Sequence, residues 1–98
     1  MYLIREVFRT KPGKAKDLVK MFKQAIPHFE KSEGIKNTKI MTDIATDYWT
    51  VVLETETDDI GGFITSLRSG SGSPELKEIM KGYMDIVESG HREIFILE

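Results

Sequence analysis

The C-terminal stretch His91-Arg92-Glu93-Ile94-Phe95-Ile96-Leu97-Glu98 carries four consecutive apolar residues, β-branched and aromatic types among them. Side chains alternate between the two sides of a strand, so Ile94 and Ile96 take one side and Phe95 and Leu97 the other. This strand is apolar on both. Residues 2–9, YLIREVFR, repeat the pattern, with Tyr2, Ile4, Glu6 and Phe8 opposite Leu3, Arg5, Val7 and Arg9. Residues 48–56, YWTVVLETE, do so again: Trp49, Val51 and Leu53 share one side, Tyr48 and Val52 the other. A sheet with one wetted side alternates apolar with polar residues, and these strands do not.

Lys11-Pro12-Gly13 ends the first strand, because Pro presets the first corner of a turn and Gly accepts the positive φ of the second. From Lys14 the apolar residues Ala15, Leu18, Val19, Phe22, Ala25, Ile26 and Phe29 recur at steps of three and four, with Lys16, Lys20, Lys23 and Lys31 elsewhere, which predicts an amphipathic helix. Pro27 cannot donate to the Lys23 carbonyl, so a kink near residues 23–27 or a break is expected, and Gly34 caps the end. Residues 37–43 read as a short strand that forms a hairpin with 48–56 through Ala45-Thr46-Asp47. Thr57-Asp58-Asp59 looks like a helix start with acids in its first turn, followed by a buried stripe of Ile60, Phe63, Ile64 and Leu67; Gly61 and Gly62 weaken it. Ser69 to Ser73 reads as a flexible loop, and Ser73-Pro74-Glu75 as the start of another helix. Leu76, Ile79, Met80, Tyr83 and Val87 form its inner face until Gly90 stops it, and the last strand is 91–98.

This order predicts one α+β domain over residues 1–98: a ferredoxin-like βαββαβ unit with a four-stranded antiparallel sheet and a broken second helix. Helices cover one side of such a sheet. Leaving several hundred Å² of apolar surface wet on the other side would forgo on the order of 10 kcal/mol at about 25 cal/mol per Å². A two-fold homodimer packed through the sheet face is therefore expected.

Composition excludes several classes. There are no cysteines, hence no disulfide scaffold, thiolate nucleophile or cysteine-ligated metal, and two histidines make a histidine-rich metal site unexpected. The net charge is −2, which gives no general attraction to nucleic acid or anionic membrane. Residues 1–40 hold ten basic and four acidic side chains and residues 41–98 four basic and twelve acidic; the lysines read as the solvated side of the first helix, without the interleaved aromatics of a nucleic-acid surface. No apolar run approaches a bilayer span, and Met1 opens directly into Tyr-Leu-Ile, so a cytoplasmic protein without membrane or nucleic-acid partners is expected.

Lys11-Pro12-Gly13-Lys14, Gly34-Ile35 and Tyr48-Trp49-Thr50-Val51-Val52 leading to Glu54-Thr55-Glu56 resemble the dimeric α+β barrel superfamily, in its antibiotic biosynthesis monooxygenase-like and NIPSNAP-like branches. The resemblance implies a small-molecule pocket between sheet and helices and a cofactor-free monooxygenase-like enzyme acting on a small apolar or aromatic substrate; a non-catalytic homodimer with an unspecified ligand is the alternative. Haem-degrading members carry an asparagine in the first strand, a tryptophan in the third and a histidine on the next helix. Here those positions hold Glu6 and Leu53, and Ile60 to Leu67 contains no histidine, which argues against haem. No cofactor or metal is expected.

Glu6 shares its strand side with Ile4 and Phe8, facing the implied pocket. A carboxylate among apolar groups has its charged form disfavoured and can trade a proton; the same residue also fits a plain pairing with Lys or Arg. Trp49 and Tyr83 offer stacking and a phenol hydrogen bond, and Phe8, Phe22, Ile26, Leu53 and Phe63 complete the candidate lining, although all of them also fit ordinary core. His28 and His91, with a reference pKa near about 6.5, lack an adjacent orienting group and fit structural or solvated roles. Arg5 and Glu54 fall on the opposite side of the sheet, where a pair would fix dimer register. Ser69 to Ser73 is Gly-rich and precedes a helix but lacks the ending of a phosphate-binding P-loop, leaving a mobile loop or lid.

Overall fold

The first strand, β1 (Tyr2–Thr10), lies inside the sheet and pairs antiparallel with both β3 (Thr50–Thr57) and β4 (Val87–Ile96), while β2 (Ile35–Thr42) pairs with β3. The strand order is β2-β3-β1-β4. The computed structural model describes residues 1–69 and 74–98; it connects β1 to β2 through α1 (Ala15–Glu33), and β3 to β4 through α2 (Ile60–Ser69), α3 (Pro74–Ile79) and α4 (Tyr83–Ile86). This is the ferredoxin-like α+β arrangement with a divided second helical segment. Of the loop read from Ser69 to Ser73, Ser69 instead ends α2, and residues 70–73, with the candidate lid and helix cap, lie outside the described residues.

Register turns the strand pattern into a core. Phe8 stands opposite Val51 and Gly90, Glu6 opposite Leu53 and Arg92, and Ile4 opposite Thr55 and Ile94, all on the side that α1 covers. Leu18 and Phe22 of α1 pack there with Val51, Leu53 and Ile86, and Phe8 lays its ring 5.0 Å from that of Phe22. A second cluster joins Ile4, Ile35 and Phe63. Thr57, at the end of β3, is fully buried, its hydroxyl donating to the Gly34 carbonyl and accepting from the Asp59 N–H.

Several boundaries differ from the sequence reading. The helix α1 runs unbroken through Pro27 to Glu33, so of the kink or break expected there the break does not occur; one missing donor is tolerated where the apolar face continues to pack on both sides of it. Its C-cap is Gly34, with φ 65°, as expected. In α2 the cap is Asp59 rather than Thr57: its carboxylate accepts from the Gly62 N–H at 2.9 Å, so the acids precede the first turn. The helix expected to run from residue 74 to Gly90 ends early. Gly82 adopts φ 88°, a left-handed conformation that separates α3 from α4, and Val87 to Gly90 instead pair with β1. Gly90 belongs to the sheet; a Cβ there would meet the Val7 carbonyl oxygen at 3.0 Å.

The far side of the sheet is mixed, not wholly apolar. Leu3, Val7, Val52 and Phe95 surround Arg5, which is 3.5 Å from the Glu54 carboxylate and donates to Glu93 at 2.9 Å. Phe95 and Met41 are exposed, as are Ile94, Ile96 and Leu97 along the β4 edge.

Candidate functional site

The row Leu53–Glu6–Arg92 crosses three adjacent strands on the helix-covered side. Arg92 Nε donates to Glu6 Oε1 at 2.5 Å, and Arg92 Nη2 contacts the same oxygen. The guanidinium lies 5.8 Å from the centroid of the Phe63 ring on α2, a cation–π contact. Of the two readings the sequence left open for Glu6, a carboxylate among apolar groups and a plain pairing with Lys or Arg, the structure shows the pairing. The cross-strand residue supplies the countercharge.

Beside this pair is a cavity of about 130 Å³. Ile4, Ile35 and Leu53 form its floor, Phe29 of α1 and Phe63 and Leu67 of α2 its walls. Its polar groups sit on opposite flanks, as strand order dictates: Glu6 and Arg92 toward β4, Thr38 and Thr55 toward β2. The Thr38 hydroxyl is 3.0 Å from Glu30 Oε2 and 2.9 Å from the Thr55 hydroxyl, which itself donates to the Lys36 carbonyl at 3.0 Å. An apolar protein cavity of roughly 150 Å³ accommodates benzene, so this one has the scale of a single ring. Glu6 and Arg92 also border a second depression, of about 290 Å³, with Phe8, Tyr83, Gly90 and His91. The ion pair is a shared wall.

The sequence-derived candidates separate into three places. Glu6, Leu53 and Phe63 line the ring-sized cavity, and Phe8 and Tyr83 line the neighbouring depression. Phe22 is 2% exposed and belongs to the core, against which Ile26 packs. Trp49 lies elsewhere. It has φ 63°, precedes β3, and accepts hydrogen bonds at its carbonyl from the Thr10 N–H and hydroxyl, bordering a different depression with Ala15, Lys16 and Tyr48. A left-handed residue breaks the alternation that had placed Trp49 beside Val51 and Leu53.

Sequence reading missed Arg92, Phe29, Thr38 and Thr55. Arg92 was legible in principle: once β4 is antiparallel to β1, the strand parities put it opposite Glu6 on the same side. The bulge in β2, where the register shifts between Lys36 and Lys39, hid Thr38. Of the histidines, His28 Nδ1 is 3.8 Å from Glu75 and His91 Nε2 is 3.8 Å from Glu93. Neither lines the ring-sized cavity. Among the described residues no group of three or more His, Cys, Asp or Glu is arranged to hold a metal ion.

Burial raises the pKa of the Tyr83 phenol above its ordinary 10.0; the negative charge of Glu6 adds to the rise and Arg92 opposes it. The proton is held more tightly in the folded chain, so this contribution to stability is complete below pH 10.0 and is lost as pH climbs through the folded value. A difference absorbance titration of wild type against Tyr83→Phe should isolate a phenol with a midpoint above 10.0. Glu6→Gln should move that midpoint down. A midpoint unchanged by Glu6→Gln would show that the carboxylate does not act on the phenol.

No protein-family model matches the sequence, and no curated protein matches it significantly. Solved structures do match. A NIPSNAP domain protein from Burkholderia xenovorans superposes with a TM-score of 0.79 at 12% identity, over 100% of this chain and 95% of that one. A NIPSNAP family protein from Agrobacterium tumefaciens gives 0.81 at 11% identity, over 99% and 92%. The fold is NIPSNAP-like. A Deinococcus radiodurans protein named as a candidate antibiotic biosynthesis monooxygenase shares this NIPSNAP-like fold at a TM-score of 0.73 and 11% identity, over 100% and 93%. These likenesses establish architecture across nearly the whole chain, and function has to be argued from the site. Among the described residues no helix is long and apolar enough to cross a membrane.

Proposed function

We propose that this chain is a homodimeric small-molecule-binding protein whose cavity between α2 and the sheet takes a small hydrophobic or aromatic molecule. The observation that carries the reading is the cavity itself: six apolar residues line a ring-sized space with an ion pair on one flank and two hydroxyls on the other. A mostly apolar concavity with a few convergent polar groups is what a ligand site needs for affinity and orientation. The dimer is supported by the far side of the sheet, where Phe95 and Met41 are exposed.

A ligand that binds only the folded state raises the melting temperature, by about 2.7 kcal/mol of stability at a hundred times its dissociation constant. Benzene at saturating concentration should therefore raise the melting temperature of the wild type. Leu67, at the cavity rim and 38% exposed, provides the control: Leu67→Trp should obstruct the space with little cost to the fold and abolish the shift. Equal shifts in both proteins would place benzene elsewhere and defeat the reading.

A second reading, a cofactor-free monooxygenase-like enzyme, is favoured by one observation: Glu6 borders both spaces, and the Tyr83 phenol borders the second. A carboxylate and a phenol facing one depression are a donor and an acceptor for proton transfer. In this reading Glu6 is the acid–base residue, and a Glu6→Gln variant with full turnover would remove it from that role.

A further inference from the structure

We infer that the depression beside Trp49 is a second binding site, separate from the ring-sized cavity, and that it takes a small aromatic ring carrying a carboxylate. The depression has a volume of about 220 Å³ and lies where the β2–β3 hairpin meets the start of α1: Asp43, Tyr48, Trp49 and Thr50 line it from the hairpin, Ala15 and Lys16 from the helix. No described residue lines both spaces, so the two stand apart.

Its apolar part is aromatic. Tyr48 and Trp49 are both exposed, although each carries a large ring that folding normally shelters. The backbone beneath the indole is fixed. At φ 63°, a conformation that bulky residues rarely adopt, the Trp49 carbonyl accepts from both the N–H and the hydroxyl of Thr10. An indole anchored through its backbone and open at its ring is a stacking surface for a planar molecule.

Its unspent charge is positive. Asp43 is turned into its own loop, where its carboxylate accepts from the N–H groups of Ala45, Thr46 and Asp47 and from the Thr46 hydroxyl. Lys16 has no ion-pair partner among the described residues, whereas the acids nearby are matched: Asp17 lies 3.8 Å from Lys14 and Asp47 2.7 Å from Arg9. Ala15 and Lys16 also open α1, a helix of 19 residues whose N-cap residue, Lys14, makes no side-chain cap hydrogen bond. The positive end of that helix is therefore left for an anion. A further unmet group lies in the same wall: the Thr50 side chain is 6% exposed, and its hydroxyl has no hydrogen-bond partner among the described residues. A ring against Trp49 and Tyr48 with its carboxylate toward Lys16 uses the aromatic surface and the free charge together. A neutral ring leaves Lys16 unused, and an ammonium meets it as a like charge.

Trp49 is the single tryptophan of the chain, so its emission reports on the site directly. The test is a fluorescence titration of the full chain, near neutral pH and at low salt, with phenylacetate, phenylacetamide and phenethylammonium, which share a ring and differ in charge, and with acetate, which lacks the ring. Phenylacetate is expected to give a saturable change and to bind at least about fivefold tighter than the other two ring probes, the scale of an exposed ion pair added to a helix-end charge. Acetate should give no change over the same range. Lys16→Gln, at an exposed position, should bring phenylacetate to the level of phenylacetamide, and Tyr48→Ala should weaken both through lost stacking. Phenylacetamide, phenethylammonium or acetate binding as tightly as phenylacetate, an unchanged phenylacetate affinity in either variant, or no saturable change with phenylacetate would overturn the inference. Each of those results leaves the ring-sized cavity untouched.

Discussion

Replacing Phe22 with alanine is expected to cost roughly 3–5 kcal/mol of folding stability, the range for deleting a buried phenylalanine ring. The ring is 2% exposed, sits 5.0 Å from Phe8 at an interplanar angle of 47°, and shares a cluster with Leu18, Val51, Leu53 and Ile86. A domain of this size has only about 5–15 kcal/mol in total, so the loss is a large share. Melting points of such domains move by roughly 4–8 °C per kcal/mol, which puts the expected fall at roughly 12–40 °C. Tyr48, 73% exposed, is the comparison: alanine there should change stability by no more than about 0.5 kcal/mol. The two melts, followed by circular dichroism, also settle a functional point. Phe22 was a candidate pocket residue in the sequence, and a large loss of stability with unchanged benzene affinity would assign it to the core alone. A small loss with abolished binding would assign it to the pocket.

Phe95→Asp is expected to dissociate the proposed dimer. Phe95 lies on the far side of the sheet, opposite Leu3 on β1, and is 47% exposed in the single chain, so the change should leave the monomer folded. In a two-fold interface the substitution occurs twice. Burial of a charge at a central contact costs about 2–4 kcal/mol per copy, which multiplies the dissociation constant by roughly 10³–10⁶. Sedimentation velocity at micromolar concentration should give the wild type twice the 11.2 kDa of one chain and the variant a single chain's mass. A wild type that already sediments as one chain removes the dimer from the account but leaves the cavity, whose lining residues all belong to one subunit.

Strand alternation and helix periodicity carried most of the fold. The two-sided apolar pattern of 2–9 and 91–98 marked strands, and the three-and-four spacing from Ala15 to Phe29 marked the helix whose Leu18 and Phe22 enter the core. Local backbone conformation was where the reading ended. Nothing in the composition around Trp49 announces a left-handed residue, yet that single φ moves the indole away from Leu53. Similarly, the apolar stripe from Leu76 to Val87 suits one helix, but Gly82 turns the chain and releases Val87 to the sheet. The candidate site was half legible. Glu6, Leu53 and Phe63 were named from strand sides and helix stripes, whereas Arg92 depended on a register between the first and last strands, a contact across 86 residues. The sequence left Glu6 open between an apolar setting and a pairing with Lys or Arg, and the register of β1 with β4 supplies the pairing with Arg92.

The most direct measurement is a titration of methyl-labelled protein with benzene, followed by nuclear magnetic resonance. Saturable shifts are expected at the methyls of Ile4, Ile35, Leu53 and Leu67, which line the cavity, while the core methyls of Leu18 and Val51 and the exposed Ile44 stay in place. Absence of saturable shifts at those four residues, or shifts that grow without limit at Ile44 and other surface positions, would contradict the claim that this fold encloses a ligand site.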